Sequence, residues 1–429
     1  MCGPGTGSLG MRKMNKQIVI IGGGAAGMMA AISAAEQGAD VCLLEPNERL
    51  GKKLNITGKG RCNVTNNCPV DELLGHIPRN GRFLYSAVTR FSSADAMAFF
   101  QEIGVPLKTE RGNRVFPRSD CAFDVSGALK RRMERLGVRW EHDRAVRILA
   151  EDGAVHAVQG ERKVYPAAAV ILATGGVSYP GTGSTGDGYA MASELGHTIV
   201  EPHGSLVPLE SDDPCCGQMQ GLALKNVQLT AWNEKGKTVF SEFGEMLFTH
   251  FGVSGPLVLS ASAHLRDWDR HQYRLSIDLK PALSEEKLEE RLLRELREES
   301  NRNMDNILRH LLPASMVPVF CERLDLAPDL KANSLKREQR RALLHELKHF
   351  GISLTGPRPV AEAIVTSGGI KVGEVNPHRM ESKKIPGLFF AGEILDVDAY
   401  TGGFNLQIAW STGRAAGIAT AETEGEIEA

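Results

Sequence analysis

The chain has almost no net charge. Its 429 residues set 50 Lys and Arg against 52 Asp and Glu, leaving −2 at pH 7. That balance gives no global pull toward nucleic acid or an anionic membrane. No stretch of eighteen residues is apolar enough to cross a bilayer as a helix. The eight cysteines contain no C-x-x-C and no paired spacing, and Cys215-Cys216 is a vicinal pair that bonds awkwardly. Free thiols in a reducing, cytoplasmic compartment are expected, with no metal site. No nucleophile–base pair is evident from spacing. A second strand–G-x-G-x-x-G–helix unit is absent between His203 and Phe350.

What is present begins at Gln17. Gln17 to Ile21 is a short β-branched run with the character of a buried parallel strand. Gly22, Gly24 and Gly27 follow as G-x-G-x-x-G. In that order the glycines allow a tight turn, backbone approach to a pyrophosphate, and close helix–strand packing. A helix rich in Ala and Met is expected from Ala25 to Gln37, stopped by Gly38. A second strand, Asp40 to Leu44, ends in Glu45, placed to accept ribose hydroxyls. Arg12, Lys13 and Lys16 ahead of Ile18–Ala35 imitate a secretory signal. Three consecutive glycines inside the apolar run, and the Glu-terminated strand after it, argue against one.

Residues 49–66 are dense in glycine, amide, hydroxyl and positive charge, without apolar periodicity. A loop of backbone donors around phosphates and a cofactor ring fits that composition. Val138–His142, Val146–Leu149, Val155–Val158 and Lys163–Tyr165 form an expected antiparallel meander. The third parallel strand is Ala168–Ala173, followed by Thr174-Gly175-Gly176. Gly181, Gly183 and Gly186 repeat the glycine spacing, but Pro180 and the distance from the strand deny them a tight turn. They are not expected to build a second dinucleotide fold, although the Thr-Gly-Asp187-Gly segment can support a cofactor. His203–Lys280 is β-rich, and Pro281–Phe350 is charged and helical. Leu388–Ala391 then leads to Gly392-Glu393, Asp396 and Gly402-Gly403-Phe404-Asn405, which opens a helix from Leu406.

A glycine-opened helix places N–H groups and partial positive charge beside a pyrimidine carbonyl, which favours reduced flavin. Pairing this segment with the N-terminal fingerprint points to FAD. The motifs Gly58–Asn66, Thr174-Gly-Gly with Thr185-Gly-Asp-Gly188, Thr249–Pro256, Gly392–Asp396 and Gly402–Asn405 carry a resemblance. They resemble the bacterial NAD(P)/FAD-dependent oxidoreductase family that includes a dehydro-bile-acid reductase and an aminoacetone oxidase. The resemblance spans Lys16 to Ala421. It implies an α/β fold, in which a split Rossmann-like FAD-binding domain surrounds a β-barrel-like domain with a helical subdomain. The expected boundaries are 1–14 (disordered leader, with Met11 or Met14 the natural start), 15–200 (FAD), 201–282 (β-rich), 283–350 (helical), 351–364 (β-rich return) and 365–429 (FAD). Phe404 stands where that family usually has Tyr.

The candidate cofactor residues fall in four groups. The fingerprint supplies Gly22, Gly24, Ala25, Ala26, Gly27, Glu45 and Pro46. The basic loop supplies Gly51, Lys52, Lys53, Asn55, Thr57, Gly58, Gly60, Arg61, Cys62 and Asn63. Val146, Thr174, Gly175, Gly176 and Asp187 come from the middle. Gly392, Glu393, Asp396, Gly402, Gly403, Asn405 and Leu406 come from the C-terminal segment. His250 and Arg61 are the candidates for catalytic contact with substrate. The expected function is FAD-dependent oxidation or reduction of a small organic substrate, with NAD(P)H binding transiently at the flavin face. An amine oxidase and a tRNA-modifying flavoprotein are the alternatives. Neither a nucleic-acid partner nor a membrane is expected.

Overall fold

The computed structural model describes residues 17–422. The expected leader, 1–14, lies outside them. A five-stranded parallel sheet forms the first layer, in the order Leu388–Phe390, Ala169–Leu172, Gln17–Ile21, Asp40–Leu44, Arg139–Glu141. Ile20 sits opposite Ile171 on one side and Leu43 on the other. All three are fully buried, as a parallel strand covered on both faces requires.

Arg139–Glu141 corrects the expected four-stranded meander. It pairs in parallel with Asp40–Leu44, with Cys42 opposite Arg139. As the sheet's edge it is half exposed, so it lacks the apolar run that marks its neighbours. The meander has three strands: Ala145–Glu151, Ala154–Gly160 and Val164–Pro166.

Two helices cross on the sheet. Ala25–Glu36 is buried at most positions, and so is Phe404–Ala421. Both have small residues where they meet. A Cβ on Gly413 would stand 2.4 Å from the Ala26 carbonyl oxygen, and one on Gly417 2.4 Å from that of Ala30. Backbone contact this close needs glycine. Trp410 is fully buried and its indole N–H donates to Val64 O at 2.8 Å. Truncating a core aromatic of that size costs about 3–5 kcal/mol. The N-termini of both helices therefore come to the same side of the sheet.

A second sheet is antiparallel and has seven strands: Phe350–Ser353, Tyr273–Asp278, Ala223–Asn233, Thr238–Thr249, Gly252–Ser254, Leu209–Glu210 and Gly356–Pro357. Its first and last members are consecutive in the chain, so the sheet must curl. Thr355 N–H donates to Glu210 O at the seam. The helices Glu285–Glu298, Met304–Leu311, Met316–Arg323 and Arg337–Lys348 share its core through Leu288, Leu292, Ile307, Phe320 and Leu347. Ser284 caps the first of them by accepting from Lys287 N–H at 3.3 Å. A two-stranded ribbon, Ile199–Ser205 with Val365–Ile370, links the two sheets. The strand Val365–Ile370 follows a 3-10 turn, Val360–Glu362.

Candidate active site

The first strand–turn–helix opens a cavity of about 1080 Å³. Gly22 has φ +107°, and a Cβ there would lie 2.5 Å from Ala173 O. A Cβ on Gly27 would lie 1.9 Å from Gly22 O, so the third glycine is fixed by packing. Gly24 differs: a Cβ on it meets no protein atom within 4 Å, and it lines the cavity. Its side-chain space is space for a ligand. Glu45, 8% exposed, closes this end. It accepts from Gly23 N–H at 2.8 Å and from Asn47 N–H at 2.9 Å.

The basic loop folds back under the last helix. Gly58, Lys59, Gly60 and Cys62 all have positive φ. For Lys59 and Cys62 that conformation is sparsely populated and is kept only where surrounding structure enforces it. Asn66 provides part of the enforcement, donating to Gly402 O at 3.0 Å and Gly112 O at 3.1 Å. A Cβ on Gly403 would lie 2.4 Å from Thr65 O. Asn405 shapes the turn before the helix, accepting from Ala399 N–H at 2.9 Å and donating to Ala399 O at 2.7 Å. Gly403 to Leu406 then present the first turn of an eighteen-residue helix to the cavity. That turn carries unpaired N–H groups and partial positive charge.

Between the two helix ends lies a charged cluster. Lys53 Nζ is 2.7 Å from Glu393 Oε2 and 2.7 Å from Ser178 Oγ. Glu393 Oε1 also accepts from Thr366 N–H at 2.8 Å. Arg61 stacks over Phe116, 4.0 Å from the ring centroid, and pairs with Glu110 and Asp120 at 3.1 and 3.2 Å. At the far end His76 stacks on Phe404, with centroids 4.4 Å apart and planes at 11°. Tyr400 and Glu242 complete that end. Burial, with the charges of Glu242 and Asp398, pushes the Tyr400 phenol up to about 12. Loss of solvation also raises the Glu242 carboxyl, opposed by His76, although the residue keeps contact with water.

The sequence matches the family described as the HI0933-like protein Rossmann domain over residues 16–419. The chain belongs to this family. It is 33% identical to the 3-dehydro-bile acid delta(4,6)-reductase of Clostridium scindens, over 95% of this chain and 100% of that protein. It is 31% identical to the ribosomal RNA dihydrouridine synthase of Escherichia coli, over 92% and 95%. The fold is shared with a solved 3-ketosteroid-delta4-(5alpha)-dehydrogenase from Rhodococcus jostii, at 18% identity and a TM-score of 0.50, covering 97% and 99% of the two chains. With its family, this HI0933-like chain is an FAD-dependent oxidoreductase. Its residues fit the cofactor: open space above Gly24, a carboxylate at the end of the second strand, and a helix N-terminus at the opposite wall.

Twenty of the residues singled out from sequence line the cavity of this HI0933-like protein. They are Gly22, Gly24, Ala25, Ala26, Glu45, Pro46, Lys52, Lys53, Thr57, Gly58, Arg61, Asn63, Thr174, Gly175, Asp187, Glu393, Gly402, Gly403, Asn405 and Leu406. Gly27, Gly51, Gly60, Gly176 and Gly392 do not line it. Asn55 is buried behind it, accepting from Ser126 Oγ at 2.7 Å. Cys62 is fully buried, and burial pushes its thiol up to about 12. Val146 is 54% exposed; its neighbour Ala145 lines the cavity instead.

Two expectations need correction. Asp396 does not line the cavity: its Oδ2 is 3.2 Å from Arg79 and accepts from Asn80 at 3.1 Å, its buried Oδ1 has no partner, and Glu393 is the nearby acidic residue that reaches the cavity. His250 sits exposed in the turn between Thr249 and Gly252, against Phe251 alone among aromatic rings, and does not line the cavity. Thr182 to Gly186, the repeat of the glycine spacing, lines the same cavity and builds no second nucleotide fold. His76, Tyr400 and Glu242 were not singled out from sequence. Tyr400 had a signal in its place just before the Gly402-Gly403 turn; the other two had none.

Proposed function

We propose that this flavoprotein reduces a carbon–carbon double bond conjugated to a carbonyl in a small organic molecule, with NADH or NADPH as the electron donor. The observation that carries this reading is the shape of the cavity. It runs without a break from Gly24 and Glu45, past the N-terminus of the last helix, to the aromatic end at His76, Phe404 and Tyr400. A dinucleotide along that path would bring its ring to the aromatic end. The names of the two relatives agree on chemistry. A delta(4,6)-reductase and a dihydrouridine synthase both saturate a double bond next to a carbonyl.

Bound FAD supplies two-electron hydride chemistry. The chain's own residues would hold it in place: Glu45 at the ribose, the Gly22–Gly27 turn at the pyrophosphate, and Gly403–Leu406 at the ring carbonyl. Lys53 is held against Glu393 and Ser178, so it stays fixed beside the cofactor path. Phe404 and His76 offer a flat apolar wall to a planar substrate.

Only one parallel sheet exists among the described residues. A separate nicotinamide domain therefore has no place in them, and the donor is proposed to enter at the aromatic end, where the substrate follows it. A small substrate suits the rim better than a polynucleotide does. The exposed lining residues mix Lys52, Lys59 and Arg114 with Glu72 and Glu242, whereas a phosphate backbone asks for cations of one sign. The seven described cysteines are free, which fits the proposed cytoplasmic location.

Anaerobic stopped-flow at the flavin band tests the reading. The oxidised protein is mixed with NADH or NADPH, and the bleached form with an enone, oxygen, or a uridine-bearing ribosomal RNA transcript. Bleaching by a nicotinamide, fast recovery with the enone and slow recovery with oxygen are expected. Parallel initial-rate lines would accompany a shared site. Recovery with the RNA alone would move the substrate to a uracil ring. Bleaching only by a small amine, with fast recovery in oxygen, would overturn the reading in favour of an amine oxidase.

A further inference from the structure

We propose that Tyr400, held by His264, is the acid that protonates the substrate carbon beside the carbonyl. This deepens the reading above and rests on it. Tyr400 lines the cavity at its aromatic end, with its ring edge-on to His76 at 5.9 Å. Its backbone is fixed twice: its N–H donates to His76 O at 3.0 Å, and its carbonyl accepts from Asn405 Nδ2 at 3.3 Å. Its Oη meets Nε2 of His264, a residue that does not itself line the cavity. His264 is supplied from the other side, just past the helix Pro256–Ser262.

Three other protic side chains of the cavity are occupied, whereas Glu242, exposed at the same end, is the competing proton source. Arg61 is tied to Glu110 and Asp120, and Lys53 to Glu393 and Ser178. His76 gives Nδ1 to Glu72 O at 2.7 Å and a ring face to Phe404. Around His264 stand Phe240, Arg266 and the buried Asp398. Burial and Arg266 lower its pKa, outweighing Asp398, so the imidazole is neutral at neutral pH. A neutral ring that donates Nε2–H to the phenol oxygen leaves the phenolic proton free for the cavity.

A hydride delivered to the β-carbon of the enone forms one C–H bond, and the π pair shifts to give an enolate. The Tyr400 O–H bond breaks as the second C–H bond forms at the α-carbon. The phenolate left behind accepts the His264 N–H and regains a proton from water. The enone gains two electrons and two protons, and the reduced flavin is oxidised.

The test uses Tyr400→Phe holoenzyme, reduced by nicotinamide without oxygen and mixed with 2-cyclohexen-1-one. The flavin spectrum and reoxidation by oxygen should match the wild type. Reoxidation by the enone should slow by about 10²–10⁴-fold, the range for a general acid, and lose its solvent deuterium effect. Enone reoxidation as fast as in the wild type would overturn the proposal and leave the reading intact. A wild type inert to enones would overturn the reading, and the proposal with it. If Tyr400→Phe fails to hold FAD, His264→Gln decides. A slower enone reaction with a displaced pH profile supports the proposal, and an unchanged profile overturns it.

Discussion

Two turns in this protein have the same glycine spacing and line the same cavity, yet only one is built as a nucleotide fingerprint. In Gly22–Gly27 the outer glycines press on backbone: a Cβ would stand 2.5 Å from Ala173 O at one and 1.9 Å from Gly22 O at the other. In Gly181–Gly186 the contacts are with side chains or with nothing. Gly181 is open, Gly183 would meet the Asn47 amide at 2.7 Å, and Gly186 would meet Val177 at 3.0 Å. Backbone cannot step aside, and a surface amide can. Spacing alone therefore does not define the motif; a strand that ends at the first glycine does.

The contrast can be broken by substitution. The largest effect is expected from Gly27→Val, which drives a side chain into Gly22 O and should cost more than about 3 kcal/mol, enough to lose folded protein. Thermal melting checks it. Gly24→Val comes next. Its φ of −79° suits any residue and its Cβ is unobstructed, so the protein should purify colourless and melt like cofactor-free wild type. A yellow Gly24→Val protein would show that nothing occupies that space. Glu45→Ala should weaken FAD binding by about 1.5–3 kcal/mol, the scale of a charge-assisted hydrogen bond; calorimetric titration reads it directly. Gly183→Val should do least. Its φ of +104° makes the substitution strained, at about 1–2 kcal/mol, and FAD should remain bound. Equal loss of FAD from Gly183→Val and Gly24→Val would erase the distinction.

How far the sequence could be read follows from the same physics. The buried parallel strands and their glycines were legible because burial on two faces leaves a continuous apolar run. The edge strand Arg139–Glu141 was legible as a strand, within Val138–His142, but not as a parallel member of this sheet, because half of it faces water and it lacks the apolar run of its neighbours. Within the β-rich stretch the length of Thr238–Thr249 was not legible, since only part of it is apolar and Gly244 interrupts it. The helix Pro256–Ser262 went unread although Pro256 occupies a favoured first-turn position. His250 attracted notice because glycines crowd its segment. Those glycines serve the sheet: a Cβ on Gly252 would lie 2.3 Å from Leu209 O, and one on Gly255 2.9 Å from Leu247 N. His76, Tyr400 and His264 come from three distant segments, and no local spacing reports a meeting of that kind.

The account turns on a dinucleotide gripped at both ends, by the Gly22–Glu45 turn and by the helix that starts at Phe404. The most direct measurement is calorimetric titration of cofactor-free protein with FAD and, separately, with FMN. FMN keeps the ring but lacks the adenosine half. The account predicts tight FAD binding, FMN binding weaker by at least about 10²-fold, the scale of one or two lost charge-assisted hydrogen bonds, and no FAD binding by Gly24→Val. Equal affinity for FAD and FMN, undiminished in Gly24→Val, would contradict it.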